Sequence, residues 1–107
     1  MALFPNQKTI QIRRTLPHKN FMVIDRTNWI IAAKRLNYSA FKLWMFLCSY
    51  GTRDMAIGPA YIKQCIGISE SSYRDAMKEL EKYEYITQVQ KNTYLFNEFG
   101  RPMEEDE

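Results

Sequence analysis

Histidine occurs once, as His18, and cysteine twice, as Cys48 and Cys65, in these 107 residues. Zinc sites draw three or four such ligands from short, regular spacings, and these three do not provide them. No metal and no cofactor are therefore expected. Catalysis fares no better. His18 has no nucleophile at a recognisable spacing, and the four glycines form no phosphate-cradling loop. No pair of carboxylates stands apart from ordinary helix surface. A nicking enzyme would need a metal-holding cluster of histidines or acids beside its tyrosine; seven tyrosines accompany the single histidine here. The expectation is a protein that is not an enzyme. Two cysteines build no disulfide framework, and both read as buried free thiols. Long apolar runs are also missing. The longest, Leu43 to Cys48, falls far short of the roughly 20 residues that span a bilayer. Met1-Ala2-Leu3-Phe4-Pro5 carries neither the charged nor the apolar region of a signal peptide. A cytoplasmic protein without membrane contact is expected. There are no repeats and no low-complexity tracts.

What the chain does have is apolar and aromatic mass. Hydrophobic residues make up 46%, aromatics 14% and charged residues 25%, enough for one globular domain with a sizeable core. The net charge of +3 is unevenly spread. Residues 1–35 hold seven bases (Lys8, Arg13, Arg14, Lys19, Arg26, Lys34, Arg35) against Asp25 alone. Residues 101–107 hold Arg101 against Glu104, Glu105, Asp106 and Glu107. A basic leading part suits contact with a polyanion, and it equally suits a merely solvated basic surface. The sequence divides into a basic arm with a short strand (1–20), a folded domain (21–98) and an acidic, disordered tail (99–107). The tail reads as a solubilising end, or as a DNA-mimicking or partner-binding one.

Along the chain, Thr9-Ile10-Gln11-Ile12-Arg13 alternates as a strand does. Phe21-Met22-Val23-Ile24 is short and β-prone. Thr27 or Asn28 caps a helix through Leu36, with Trp29, Ile30, Ala33 and Leu36 on its inner side. Asn37-Tyr38-Ser39 caps the next. From Ala40 to Tyr50 only Lys42 and Ser49 are polar; a helix apolar all round is a buried one, so this is the expected centre of the core. Gly51 ends it, and Met55-Ala56-Ile57 is a further short strand. Gly58-Pro59 opens a third helix with Ile62, Cys65 and Ile66 inward. Gly67 stops it, Ile68 plugs the core, and Ser69 caps a fourth helix. That helix buries Tyr73, Ala76, Met77, Leu80 and Tyr83 at helical spacing. Trp29, Phe41, Trp44 and Phe46 are also assigned to the core. Tyr85 to Val89 and Thr93 to Phe96 flank a polar turn and form a hairpin.

The run Ile66-Gly67-Ile68-Ser69-Glu70-Ser71-Ser72-Tyr73-Arg74-Asp75-Ala76-Met77-Lys78-Glu79-Leu80, closing at Tyr85-Ile86, resembles the winged helix-turn-helix superfamily. It is most similar to small DNA-binding accessory proteins of plasmid and phage replication or conjugation, over about residues 21–97. The resemblance implies an α+β fold: a helical core, a C-terminal β-hairpin wing and a short N-terminal strand. It also implies a recognition helix from Glu70 to Tyr83 entering the major groove. Arg74 and Lys78 would then face DNA, Arg74 reading guanine, with Ser71 and Ser72 on bases or phosphates. Three features depart from the pattern. Lys63 stands where a small residue usually packs the two helices. Glu84 replaces the glycine that commonly ends the recognition helix. Between Glu70 and Glu84, three bases meet five acids.

The free positive charge lies elsewhere, on Arg13, Arg14, Lys19 and Arg26 and on Lys91 at the hairpin tip among Gln88, Gln90 and Asn92. Amides and a lysine on a narrow hairpin suit a DNA groove, the minor one included. Arm and wing are expected to hold DNA at least as much as the recognition helix. The resulting reading is a sequence-specific double-stranded DNA-binding protein, an accessory factor in plasmid or phage DNA transfer or replication. It is expected to be a homodimer, with Ile31 and Phe21 as candidate contacts, and to meet a separate replication or transfer enzyme. The rivals are a protein–protein adaptor, because an acidic recognition helix disfavours DNA, and a transcriptional repressor.

Overall fold

The computed structural model describes residues 10–13, 22–50 and 54–104. An aspartate starts its first helix. Asp25 caps α1 (Arg26–Arg35), its carboxylate accepting from the amides of Thr27 and Asn28 at 2.9 and 3.2 Å. Neither Thr27 nor Asn28 is the cap. The inner face of α1 is Asn28 and Ala32, continued by Leu36, whereas Trp29 is 43% exposed and Ala33 is exposed. Of the expected stripe, Leu36 is buried and Ile30 partly so, while Trp29 and Ala33 face outward. A polar residue takes the buried position because its amide has a partner: Asn28 Nδ2 donates to Glu98 Oε2 at 2.8 Å. Ala32 lets the backbone come close, and Trp29 lies at the margin with its ring edge-on to Phe41.

α2 (Tyr38–Cys48) is the central element, as its composition requires. Asn37 caps it by accepting from Ala40 N, and Asn37 N donates to Glu79 Oε2 at 2.8 Å. Leu43 and Trp44 are fully buried, while Phe41 and Phe46 are partly so. Each of the largest buried side chains contributes about 1.5–3 kcal/mol through burial. Gly51 lies outside the described residues. Residues 10–13, 22–25 and 54–58 contain no strand. Ile10 and Ile12 are 81% and 85% exposed, so the alternation there has no face to bury. Met55 and Ile57 pack against the core without pairing.

α3 (Pro59–Ile66) and α4 (Glu70–Lys82) flank the expected turn. Gly67 takes the left-handed conformation at φ 74° and its amide donates to Lys63 O. Ile68 is buried, and Ser69 Oγ accepts from Ser72 N. Cys65 is exposed, not inward, because Ile62 and Ile66 already occupy the inner face one turn apart. Cys48 is buried, and burial together with the Glu98 carboxylate pushes its thiol up to about 12. α4 buries Tyr73, Ala76 and Leu80, with Met77 and Tyr83 partly covered. It packs on both α2 and α3.

β1 (Ile86–Gln90) and β2 (Thr93–Phe96) form an antiparallel hairpin around Lys91-Asn92. Neither turn residue has a positive φ. Turns of that kind splay strands, and the register shift between Gln88 and Gln90 adds local twist. Ile86, Gln88, Tyr94 and Phe96 share one face through the pairs Ile86–Phe96 and Gln88–Tyr94. Among the described residues the arrangement is α+β, four helices followed by a hairpin, and is compatible with a winged helix. Among the described residues no N-terminal strand joins the two-stranded sheet.

Residues 97–102 are not a loose tail. Arg101 N donates to Tyr83 O at 2.8 Å, and Arg35 Nη2 donates to Pro102 O at 3.0 Å. The Arg35 and Arg101 guanidiniums lie over the Tyr83 ring at 5.4 and 4.8 Å. This clasp ties α1 to the foot of the hairpin. Residues 105–107 lie outside the described residues.

Glu84 has φ 64°, the one positive φ on a non-glycine among the described residues. A side chain in that region costs about 1–2 kcal/mol, part of which glycine returns through unfolded-chain entropy. Glu84→Gly is expected to raise stability by about 0.5–1 kcal/mol, read as a higher denaturation midpoint in urea at unchanged slope. A lower midpoint would show that the Glu84 side chain has a stabilising role.

Candidate nucleic-acid interface

α4 and the hairpin diverge from a shared foot, and a cleft of about 660 Å³ opens between them. α4 contributes Tyr73, Arg74, Met77 and Lys78 to its wall, and the hairpin contributes Asn92 and Tyr94. The extended segment before α3 closes the far side with Met55, Ala56 and Ile57. Helical spacing sets this geometry: Arg74 and Lys78 lie one turn apart, beside the buried Tyr73 and the partly buried Met77. Pleating places Tyr94 on the same hairpin face as the core-packed Phe96. Burial, and then the nearby Tyr94 phenol, raise the hydroxyl pKa of Tyr73.

The acids of α4 do not line this cleft. Glu79 accepts from the Asn37 amide at the start of α2. Glu70 pairs with Arg74 at 2.5 Å, and both side chains are more than half exposed, at 59% and 66%. Such a pair is worth about 0.3–0.5 kcal/mol, so a phosphate can replace it at little cost. The helix is net acidic, yet the wall it presents to the cleft is basic.

Of the residues marked in the sequence, Arg74, Lys78 and Asn92 come together here. Lys91 stands exposed beside Asn92 at the tip. Gln88 Nε2 donates to Lys91 O at 2.8 Å and braces the turn; Gln90 is exposed opposite Thr93. Ser69 Oγ donates to Ser72 Oγ at 3.0 Å and shares a hydrogen bond with Ser71 Oγ at 3.3 Å, so both hydroxyls are engaged within the helix cap. Arg13 and Arg26 are exposed and line no part of the cleft. Arg14 and Lys19 lie outside the described residues, as does Phe21; Ile31 is half-buried.

Sequence reasoning placed Tyr94 and Phe96 by their alternation on an inward-packing strand face, not on a base-stacking platform, and did not mark residues 55–57 as part of a site. The period-two alternation of Tyr94 and Phe96 signalled a shared face; what it could not signal was that the face extends past the core. Among the described residues no three His, Cys, Asp or Glu side chains gather as metal ligands, and no helix is long and apolar enough to cross a membrane. No known family, curated protein or solved structure matches the chain.

Proposed function

We propose that this chain is a non-enzymatic winged-helix protein that binds double-stranded DNA with sequence preference. α4 is its recognition helix and β1–β2 its wing. The observation that carries this reading is the cleft wall: Arg74 and Lys78 from the helix and Asn92 from the hairpin, with no carboxylate among them. Cations position phosphates, and an arginine or an amide can read base edges. Lys91 extends the basic edge to the hairpin tip, and the basic arm (Arg13, Arg14, Lys19, Arg26) adds phosphate contacts. The setting proposed is cytoplasmic, as an accessory factor in plasmid or phage DNA transfer or replication. The protein would act as a homodimer beside a separate enzyme; a transcriptional repressor would use the same surface.

A protein–protein adaptor is the second reading. It is favoured by Leu95 and Val89, 61% and 49% exposed on the hairpin. Selection of bound fragments from a random duplex pool tests the first reading. An enriched motif whose affinity falls steeply with salt supports DNA binding. No enrichment, with passage through heparin at low salt, supports the adaptor.

A further inference from the structure

The cleft has a floor that an intact duplex does not use. Besides Arg74, Lys78 and Asn92, the cleft is lined by Tyr94, Tyr73 and Met77, the last two largely covered by the core. Tyr94 is 40% exposed, so a broad part of its surface is open. The outward surface of a duplex is phosphate, sugar and the polar edges of stacked bases; its apolar base faces are hidden in the stack. An unpaired base has two such faces, a hydrogen-bonding edge and a phosphate on each side. Aromatic and thioether surfaces suit the faces, and the Asn92 amide, both donor and acceptor, suits the edge. Arg74 and Lys78, one helical turn apart, suit the flanking phosphates. An apolar peptide side chain would match the floor but would leave the two cations without a counterpart.

We propose that this cleft takes an unpaired DNA base, stacked on the Tyr94 ring, with Arg74 and Lys78 on its neighbouring phosphates. The inference rests on the DNA-binding reading above and extends it: the protein would prefer duplex that is locally open. Such a preference would let a non-enzymatic protein hold a melted site.

Fluorescence anisotropy with the full chain tests this on three probes: a blunt duplex, the same duplex with a central unpaired bubble, and that bubble with abasic sites at the unpaired positions. The bubble is expected to bind about tenfold or more tighter than the duplex, in line with base–aromatic stacking. The abasic bubble should bind like the duplex. Tyr94→Ala should lose the bubble preference, so that bubble and duplex bind alike, and Tyr94→Phe should retain it. Equal affinity for bubble and duplex would overturn the inference and leave duplex binding standing. A preference that survives Tyr94→Ala, or that persists on the abasic bubble, would overturn it too. Binding to none of the probes would overturn the DNA-binding reading itself.

Discussion

Gly100→Ala should unfold the protein far more readily than an alanine in a terminal segment ordinarily does. Gly100 has φ 67°, and a Cβ there would lie 2.6 and 2.7 Å from the Tyr85 ring and 3.0 Å from Tyr83 O. The Tyr85 ring cannot yield cheaply. It is fully buried, and it meets Trp44 edge-on at 6.3 Å between centroids. Left-handed backbone costs a non-glycine residue about 1–2 kcal/mol, and overpacking adds about 1–3 kcal/mol. A loss of about 3 kcal/mol is expected, a fall in thermal midpoint of roughly 15 °C for a domain of this size. Circular dichroism melts would show it. A fall of only a degree or two would mean that residues 97–102 are not clasped against α1 and the foot of the hairpin.

The second large effect is on binding. Replacing both Arg74 and Lys78 with alanine should lower the slope of log affinity against log salt by about two units. Affinity for duplex should fall on the order of tenfold or more at moderate salt. Both residues are exposed on α4, alanine is a good helix former, and the Glu70 pair adds little, so the melting temperature should barely move. Replacing Lys34 and Lys63, exposed on α1 and α3, removes the same charge away from the cleft and should leave the slope nearly unchanged. Equal losses in the two double variants would show that overall charge, not the cleft, governs binding.

Local chemistry made much of this fold legible. Gly67, Ile68 and Ser69 each do what their residue type favours: a left-handed stop, a core plug and a helix cap. The apolar circumference of residues 40–50 marked the central helix because no other environment tolerates it. The misreadings share one cause, partners distant in sequence. Asn28 is buried because Glu98, seventy residues on, accepts from it. Trp29 was assigned to the core on helical spacing, yet Asn28 and Ala32 take the inner face and Trp29 stays at the margin against Phe41. Ile10 and Ile12 alternate like a strand, but alternation needs a neighbouring strand to pair with. The tail was read from its acids, while Arg101 and Pro102 meet Tyr83 and Arg35 from across the chain. The site was half visible for the same reason. The resemblance singled out Arg74 and Lys78, and the polar hairpin tip singled out Asn92, but only the docking of the hairpin beside α4 joins them.

Amide chemical shifts of the isotope-labelled protein, followed as a selected duplex is added, test the central claim most directly. Changes should concentrate at Arg74, Lys78, Lys91 and Asn92. The α2 surface around Phe41, Met45 and Phe46, which lines a separate apolar depression, should stay unmoved. Shifts gathered on that surface, with the α4 wall silent, would contradict the account.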